Sequence, residues 1–381
     1  MKGCALQAAA ARLRAVWPTS KIQAAGAPKA KKAREPTEKR IDMANGANVI
    51  FSEPRRILVI RRDNIGDLVC TTPLFAALRQ RFPSAHIALL TNTYAEPVVH
   101  DNPDLNAIHV YEKGKHAKAW RRPAAYWRRA QMLMALRRTR FDCTILAAAS
   151  YYYRGIKLAR WVGAPTIGFA GDHGEREGVD HALARPTRPI HEVEDLFQLL
   201  APLGIDGPIP PLTFAVDPEL LRRAQAALIK EGLKPIGLHI SAREQENRWA
   251  PENFIELIRQ GASRGLSFAL FWSPGTTKTA EHPGYDEVAR HILSATSGLP
   301  VVGYRTAGIP ELAAGLACCQ RVVGSDGGHV HVAAAVGTPV LGLYCDYKVV
   351  HWRPWGENHK VLSARRVGDI PVAEVLQGLL S

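Results

Sequence analysis

Two short stretches hold residues whose types and spacing suit chemistry on a phosphorylated or polyhydroxylated ligand. In the first, Arg61, Arg62, Asp63 and Asn64 make a polar turn that meets Gly66 and then Asp67. A glycine lets a ligand approach the backbone, and the free N–H groups of a helix starting there attract phosphate. Asp67 at that mouth repels phosphate, so it is either a helix-capping acid or a catalytic base, and position alone favours the cap. In the second stretch Ser325, Asp326, Gly327 and Gly328 follow an apolar run, with His331 four residues after Gly327. Ser325 and Asp326 read as cap-type side chains, and the glycines leave the next helix N-terminus open. Taken singly, Asp326 is an N-cap and His331 a half-buried packing residue; together with the glycines they describe a ligand site.

Both stretches need a strand before them and a helix behind them. Ile57, Leu58, Val59 and Ile60 form an unbroken apolar run with β-branched members, as in a parallel strand covered on both faces. Leu68, Val69, Leu74, Phe75 and Leu78 then follow at the spacing of one amphipathic helix, completing a first βα unit. Further strands are expected at His86–Asn92, Ala107–Val110, Cys143–Ala148 and near Thr166–Phe169, with helices at Arg154–Val162 and Glu192–Leu203. Pro208, Pro210 and Pro211 punctuate the chain, and a domain boundary is placed at about 212. The alternation then restarts, with helices at Leu220–Glu231, Pro251–Arg264, Tyr285–Leu293 and Ile309–Leu316. Its strands are Ile236–Ile240, Ser267–Trp272, Val301–Val302 and Gln320–Gly324. Two βα domains in tandem, each with glycine at a strand-to-helix turn, describe a cleft enzyme of the α/β class.

The 381 residues suit two domains of ordinary size, and 46% apolar with 22% charged residues is the composition of a folded protein. No apolar run reaches the length of about eighteen residues that a membrane span needs. Six cysteines show no CxxC and no zinc spacing and read as reduced, mostly buried thiols of a cytosolic chain. The net charge of +14 is uneven: residues 1–56 carry twelve Lys or Arg against Glu35, Glu38, Asp42 and Glu53, 12 − 4 = +8. Residues 1–54 therefore read as a basic, disordered extension, in which Cys4–Trp17 could rest on an anionic membrane as a short helix and Met43 could be a start.

Between Lys113 and Arg140 stand ten Lys or Arg and no acid, interleaved with Trp120, Tyr126 and Trp127. A solvated helix face is the plain reading. So dense a patch of one sign, led by Lys113, Lys115, Lys118, Arg121, Arg122, Arg128 and Arg129, more often meets an anionic acceptor or lipid headgroups. Nucleic acid ranks below these, because no zinc finger, RNP or helix-turn-helix signature is present.

Four blocks, in order, carry a family resemblance over residues 55–362. RILVIRRDNIGDLVCTTPLFAALRQRFPSAHIALLTN resembles the start of the ADP-heptose:lipopolysaccharide heptosyltransferases, glycosyltransferase family nine, and VVGSDGGHVHVAAAVGTPVLGLY resembles their nucleotide-sugar motif. FDCTILAAASYYYRGIKLARWVGAPTIGF and HEVEDLFQLLAPLGI are similar to the intermediate blocks. The resemblance implies a GT-B architecture of two facing Rossmann-like domains, 55–212 on the acceptor side and 213–381 on the donor side. It implies inverting transfer of heptose from ADP-heptose to a lipopolysaccharide-core hydroxyl, without a cofactor or metal, since no DxD motif is present. Asp67 matches the family's aspartate and becomes the candidate base. Asp326 matches its sugar-contacting acid and His331 its motif histidine, while the Gly327–Gly328 turn meets the leaving charge.

The chain departs from the family pattern in places. Asn247 stands where a donor-facing Lys is usual, leaving Arg248, Arg61 or Arg62 as candidate cations; SDGGHVH replaces DSGPMH, and LYCDYKVVHW replaces FGPTDP. Two other readings accompany these departures: a same-fold enzyme using another nucleotide sugar for O-antigen or capsule, or a catalytically impaired carbohydrate-binding relative. The expected partners are a nucleotide-sugar donor, a lipopolysaccharide-core acceptor and the anionic inner-membrane surface, for a cytoplasmic or peripheral protein.

Overall fold

The computed structural model describes residues 49–111, 122–275 and 284–381. Residues 1–48 of the expected basic extension, and with them Cys4–Trp17, lie outside the described residues, as do Lys113, Lys115, Lys118 and Arg121; its last six residues are ordered against expectation, because the Ile50 and Phe51 N–H groups both donate to the Pro202 carbonyl, at 2.8 and 3.1 Å. The first half runs β1 (Arg56–Ile60), α1 (Ile65–Val69), α2 (Thr72–Arg81), β2 (His86–Asn92), β3 (Ala107–Tyr111) and α3 (Arg122–Thr139). It continues through β4 (Cys143–Leu146), α4 (Tyr153–Val162), β5 (Thr166–Phe169), β6 (His181–Leu183) and α5 (Glu192–Gln198). The second half starts with α6 (Pro218–Leu228), β7 (Ile236–His239), α7 (Pro251–Ala262), β8 (Phe268–Trp272), α8 (Asp286–Ala295) and β9 (Val301–Arg305). After these come α9 (Ile309–Ala317), β10 (Arg321–Ser325), α10 (Gly328–Ala335), β11 (Val340–Cys345), α11 (Val349–Trp352), β12 (Lys360–Ala364) and α12 (Val372–Leu380).

Each half builds one six-stranded parallel sheet, in the order β3-β2-β1-β4-β5-β6 and β12-β11-β10-β7-β8-β9. Counted within its own half, the second sheet repeats the order of the first. This is the doubly wound order, whose ligands bind beyond the C-terminal ends of the strands where the order reverses. In the first sheet that point lies between β1 and β4, and in the second between β7 and β10. The two-sided burial expected of β1 is observed: Ile57 and Val59 enter one core cluster, Leu58 and Ile60 another, all at 0% exposure. All five described cysteines are buried and free of disulfides.

The helix expected after Gly66 is two helices. Pro73 has no N–H for the Val69 carbonyl, which instead accepts the Thr72 hydroxyl at 2.8 Å, and Thr71 Oγ1 caps the Asp67 carbonyl at 2.8 Å. The break is thus chemically satisfied. Likewise α5 stops at Gln198 rather than running to Leu203, because Pro202 cannot donate to the Gln198 carbonyl; a 3-10 turn over Ala201–Leu203 follows, and Gly204 closes it at φ 69°.

The two halves lie within one compact unit, Ala47–Ser381, and share a core cluster that holds residues of α1, α2, α9 and α10. At their junction the N-termini of α1 and α10 touch. A Cβ on Gly328 would sit 3.1 Å from Ile65 Cγ2 and 3.3 Å from the Gly66 nitrogen, and one on Gly66 would sit 3.0 Å from the His331 ring. Both glycines therefore allow two helix ends to meet. Gly328→Ala should lower unfolding stability in urea by about 1–3 kcal/mol through overpacking. Gly207→Ala, with nothing within 4 Å of the added carbon, should change it by less than ~0.5 kcal/mol.

A candidate active site between the two halves

Where β1 ends, Arg61 turns back into the protein and is 2% exposed. One guanidinium nitrogen donates to the Ala147 carbonyl at 2.5 Å, and the other to Asp67 Oδ1 at 2.9 Å and Glu192 Oε1 at 2.8 Å. Its Nε lies 3.4 Å from Asp63. Burial opposes the charge, but Glu192, Asp67 and Asp63 more than reverse that, so Arg61 stays a cation. Asp67 is the third residue of α1, and its Oδ2 accepts the Asn64 N–H at 2.7 Å. It is therefore a capping acid and a cleft-facing carboxylate at once, with a side chain 15% exposed.

Asn64, Gly66 and Asp67 line a cleft of about 600 Å³ whose opposite wall is Asp326, Gly327 and Gly328. The two carboxylates thus share one space. Asp326 follows β10, and its Oδ2 accepts Asn247 Nδ2 at 3.1 Å and pairs with Lys348 Nζ at 3.3 Å. Burial pushes the Asp326 carboxyl up, and Lys348 and Asn247 hold it back in part. The expected capping role fails: α10 is capped by Gly327 without a side-chain bond, and Ser325 is buried as the last residue of β10.

Lys348 is the cation that sequence reasoning missed. Its ammonium donates to Glu244, lies 3.2 Å from Glu246 and donates to Asn247 Oδ1 at 3.2 Å. Burial lowers its basicity, but three neighbouring carboxylates raise it further, so it remains charged in the cleft wall. None of the three arginines considered for this role can fill it. Arg61 is spent on buried acids. Arg62 stacks 4.7 Å over the Tyr111 ring and donates to Tyr111 and to the Arg154 carbonyl, away from the cleft lining. Arg248 is exposed and turns back on the carbonyls of Ala242 and Arg243. The signal for Lys348 lay in the departure LYCDYKVVHW, which carries it.

Three histidines stand around the cleft, all held neutral by burial. His331 is 2% exposed, deeper than expected, with Nδ1 3.5 Å from Cys70 Sγ and its ionisation lowered to about 4. His239 and His329, unforeseen from sequence, stack at 3.7 Å and 12°, and His239 is also lowered to about 4. Arg122 opens α3, while Arg128 and Arg129 are exposed along it, outside the cleft lining.

Behind Asp67 the Arg61 cluster continues into the second half. Glu192 is 3% exposed, and its second oxygen lies 3.0 Å from His351 Nε2 on α11. Among the described residues, Glu192, Asp195 and His351 have ligand atoms close enough together for a metal ion. Glu192 is already bonded to a guanidinium and His351 Nδ1 to the Ile190 carbonyl at 2.7 Å, so this donor set is an ion pair rather than a metal cage.

The profile of glycosyltransferase family 9 (heptosyltransferase) matches residues 129–373. Lipopolysaccharide heptosyltransferase 3 of Escherichia coli is 25% identical over 304 residues, covering 77% of this chain and 84% of that one. Among solved structures, a glycosyl transferase family 9 protein of Veillonella parvula superposes with a TM-score of 0.73 at 18% identity, covering 87% of this chain and 97% of that one. The E. coli heptosyltransferase WaaC with ADP gives 0.70 at 18%, covering 85% and 99%. These structures bear out the two-domain α/β architecture.

Removing the buried guanidinium should leave Asp67 without a cation and Glu192 with His351 alone. Arg61→Met is expected to lose about 3–5 kcal/mol in a urea titration at neutral pH, and Arg61→Met/Glu192→Gln to regain part of it.

Proposed function

Since the chain belongs to glycosyltransferase family 9, we propose that its cleft transfers heptose from ADP-heptose to a hydroxyl of a lipopolysaccharide core, with inversion. The observation that carries this reading is the shared cleft: Asp67 and Asp326, each just beyond a sheet's switch point, line the same 600 Å³ space. Its relatives are lipopolysaccharide heptosyltransferases, which supports these substrates, and the structure solved with ADP supports a nucleotide donor.

In this reading the acceptor oxygen attacks the anomeric carbon while the bond from that carbon to the diphosphate breaks on the far side. The acceptor proton passes to the Asp67 carboxylate, and ADP departs with the bonding electrons. A single displacement inverts the configuration. Arg61 and the Asn64 N–H hold the two oxygens of Asp67 from behind, fixing the direction of the carboxylate. Negative charge growing on the leaving diphosphate is met by Lys348 and by the N–H groups at the start of α10. No step requires a metal, and the presence of Lys348 beside Asn247 weighs against a catalytically impaired relative.

The outer flank fits a membrane-borne acceptor. Neither α3 nor α4 contains an acid, and Trp127, Tyr153 and Trp161 are 64%, 59% and 62% exposed there, beside Arg128, Arg129 and Lys157. Exposed Trp and Tyr among basic residues suit an interface of anionic headgroups. Nucleic acid has no part in this reading, and no helix among the described residues is long and apolar enough to cross a membrane.

With ADP-heptose and heptose-deficient lipopolysaccharide, Asp67→Asn should keep donor binding and lower ADP release by about 10²–10⁴-fold. Unchanged turnover would remove Asp67 as the base, and release only from other nucleotide sugars would favour an O-antigen or capsule enzyme. For the flank, Trp127→Ala/Trp161→Ala should reduce co-sedimentation with phosphatidylglycerol vesicles at low salt. Equal sedimentation of wild type and variant would refute that surface.

A further inference from the structure

The cluster behind the base ends in a residue that the proposed chemistry does not use. His351 belongs to the connection between β11 and β12, in the second half, yet both of its ring nitrogens meet the first half. Nδ1 lies 2.7 Å from the Ile190 carbonyl and Nε2 3.0 Å from Glu192 Oε2. A carbonyl and a carboxylate only accept, so both nitrogens carry protons and His351 is an imidazolium. One residue away, His191 Nδ1 accepts the Val193 N–H at 3.1 Å, which leaves its proton on Nε2 for the Arg353 carbonyl at 2.7 Å. Histidines of opposite halves therefore cross over the same seam.

From His351 a continuous chain of charge-assisted bonds runs inward. His351 bonds one oxygen of Glu192, Arg61 bonds the other at 2.8 Å, and the same Arg61 nitrogen bonds Asp67 at 2.9 Å. Positive and negative members alternate, and both inner links are nine-tenths or more buried: Glu192 is 3% and Arg61 2% exposed. At that depth the charges are weakly screened, so a change at one end is felt at the other.

We propose that His351 is a positioning residue for Asp67: docked on α5, it holds Glu192, which holds Arg61, which orients and polarises the base. The inference rests on Asp67 being that base. It makes alignment of the first half's carboxylate depend on a strap from the second half, and the same strap carries Lys348 and Trp352 into the cleft lining. Donor site and base are thereby joined through one short connection.

The charged and titratable groups facing His351 are Glu192 and Asp195 of α5, His191 at the α5 N-cap, Arg61 through Glu192, and Arg353 on its own connection. The bond to Glu192 raises the ionisation of His351 above that of a free imidazole, with Asp195 adding to the effect, so the link weakens as pH rises through that raised value. When the imidazolium is removed, the potential along the chain becomes more negative. Glu192 then keeps Arg61 as its one cationic partner and draws it from Asp67, so the base loses its alignment and turnover falls.

Two measurements decide the matter. In a cycle of Asp67→Asn, His351→Gln and the double variant, followed by urea unfolding at pH 7, the effects on the unfolding constant should depart from additivity by about threefold or more. In ADP release from ADP-heptose with heptose-deficient lipopolysaccharide, kcat of the wild type should fall as pH rises through the His351 ionisation, and His351→Gln should show a lower kcat, an unchanged donor KM and no such fall. Additive stabilities overturn the chain, as does an equal alkaline fall of kcat in wild type and His351→Gln. If wild type releases no ADP from ADP-heptose, the functional reading fails, and the stability cycle still decides whether His351 and Asp67 are linked.

Discussion

The structure depends on one buried guanidinium. Arg61 is the first residue after a strand buried from Ile57 to Ile60, and desolvating a cation there costs several kcal/mol unless acids surround it. Asp63, Asp67 and Glu192 supply that surround, two from the turn after β1 and one from far along the chain. Asp67 closes the first helical turn; Glu192 opens a helix more than a hundred residues later. Satisfying a single charge therefore brings the β1 turn and the start of α5 together and fixes a carboxylate at the cleft wall. A site built this way is held from behind by electrostatics, leaving its front face to the ligand.

The junction of the halves follows from a steric constraint as strict as the electrostatic one. Two helix N-termini repel through their dipoles and through their side chains, and α1 and α10 meet because glycine stands at both contact points. In the sequence those glycines read as open backbone for phosphate. Their main service is contact between halves, and the ligand space lies beside the contact, lined by Asn64 and Asp67 on one wall and by Asp326, Lys348 and Tyr347 on the other. His331 sits at the same contact, which is why it is buried and neutral rather than half-exposed.

Much of the fold was legible because buried parallel strands leave continuous apolar runs: β1, β7, β8 and β10 stand where those runs are. Helix ends were less legible, since Pro73 and Pro202 act through carbonyls four residues earlier, a relation that periodicity does not register. β6 is three residues long, and β12 is only part-buried, so neither stands out against loop sequence. At the site, Asp67 and Asp326 were legible from their places beside glycine turns, and Asn247 only through the family resemblance. Glu192, His351 and Lys348 were not, because their roles arise from distances across the two halves that no local pattern encodes.

Lys348 shows why a departure from a motif need not be a loss of chemistry. A cation beside Asp326 can be supplied from any element that passes within reach, and the β11–β12 connection passes there. Asn247 is then more than a vacant position. Its amide bridges Asp326 and Lys348, donating to the carboxylate through Nδ2 and accepting the ammonium through Oδ1. A lysine at 247 would put a second ammonium beside the first, while asparagine offers one donor and one acceptor in the orientation this pair requires. Asparagine at 247 and lysine at 348 therefore form one arrangement, in which the cation stands on the β11–β12 connection and the amide holds it against Asp326.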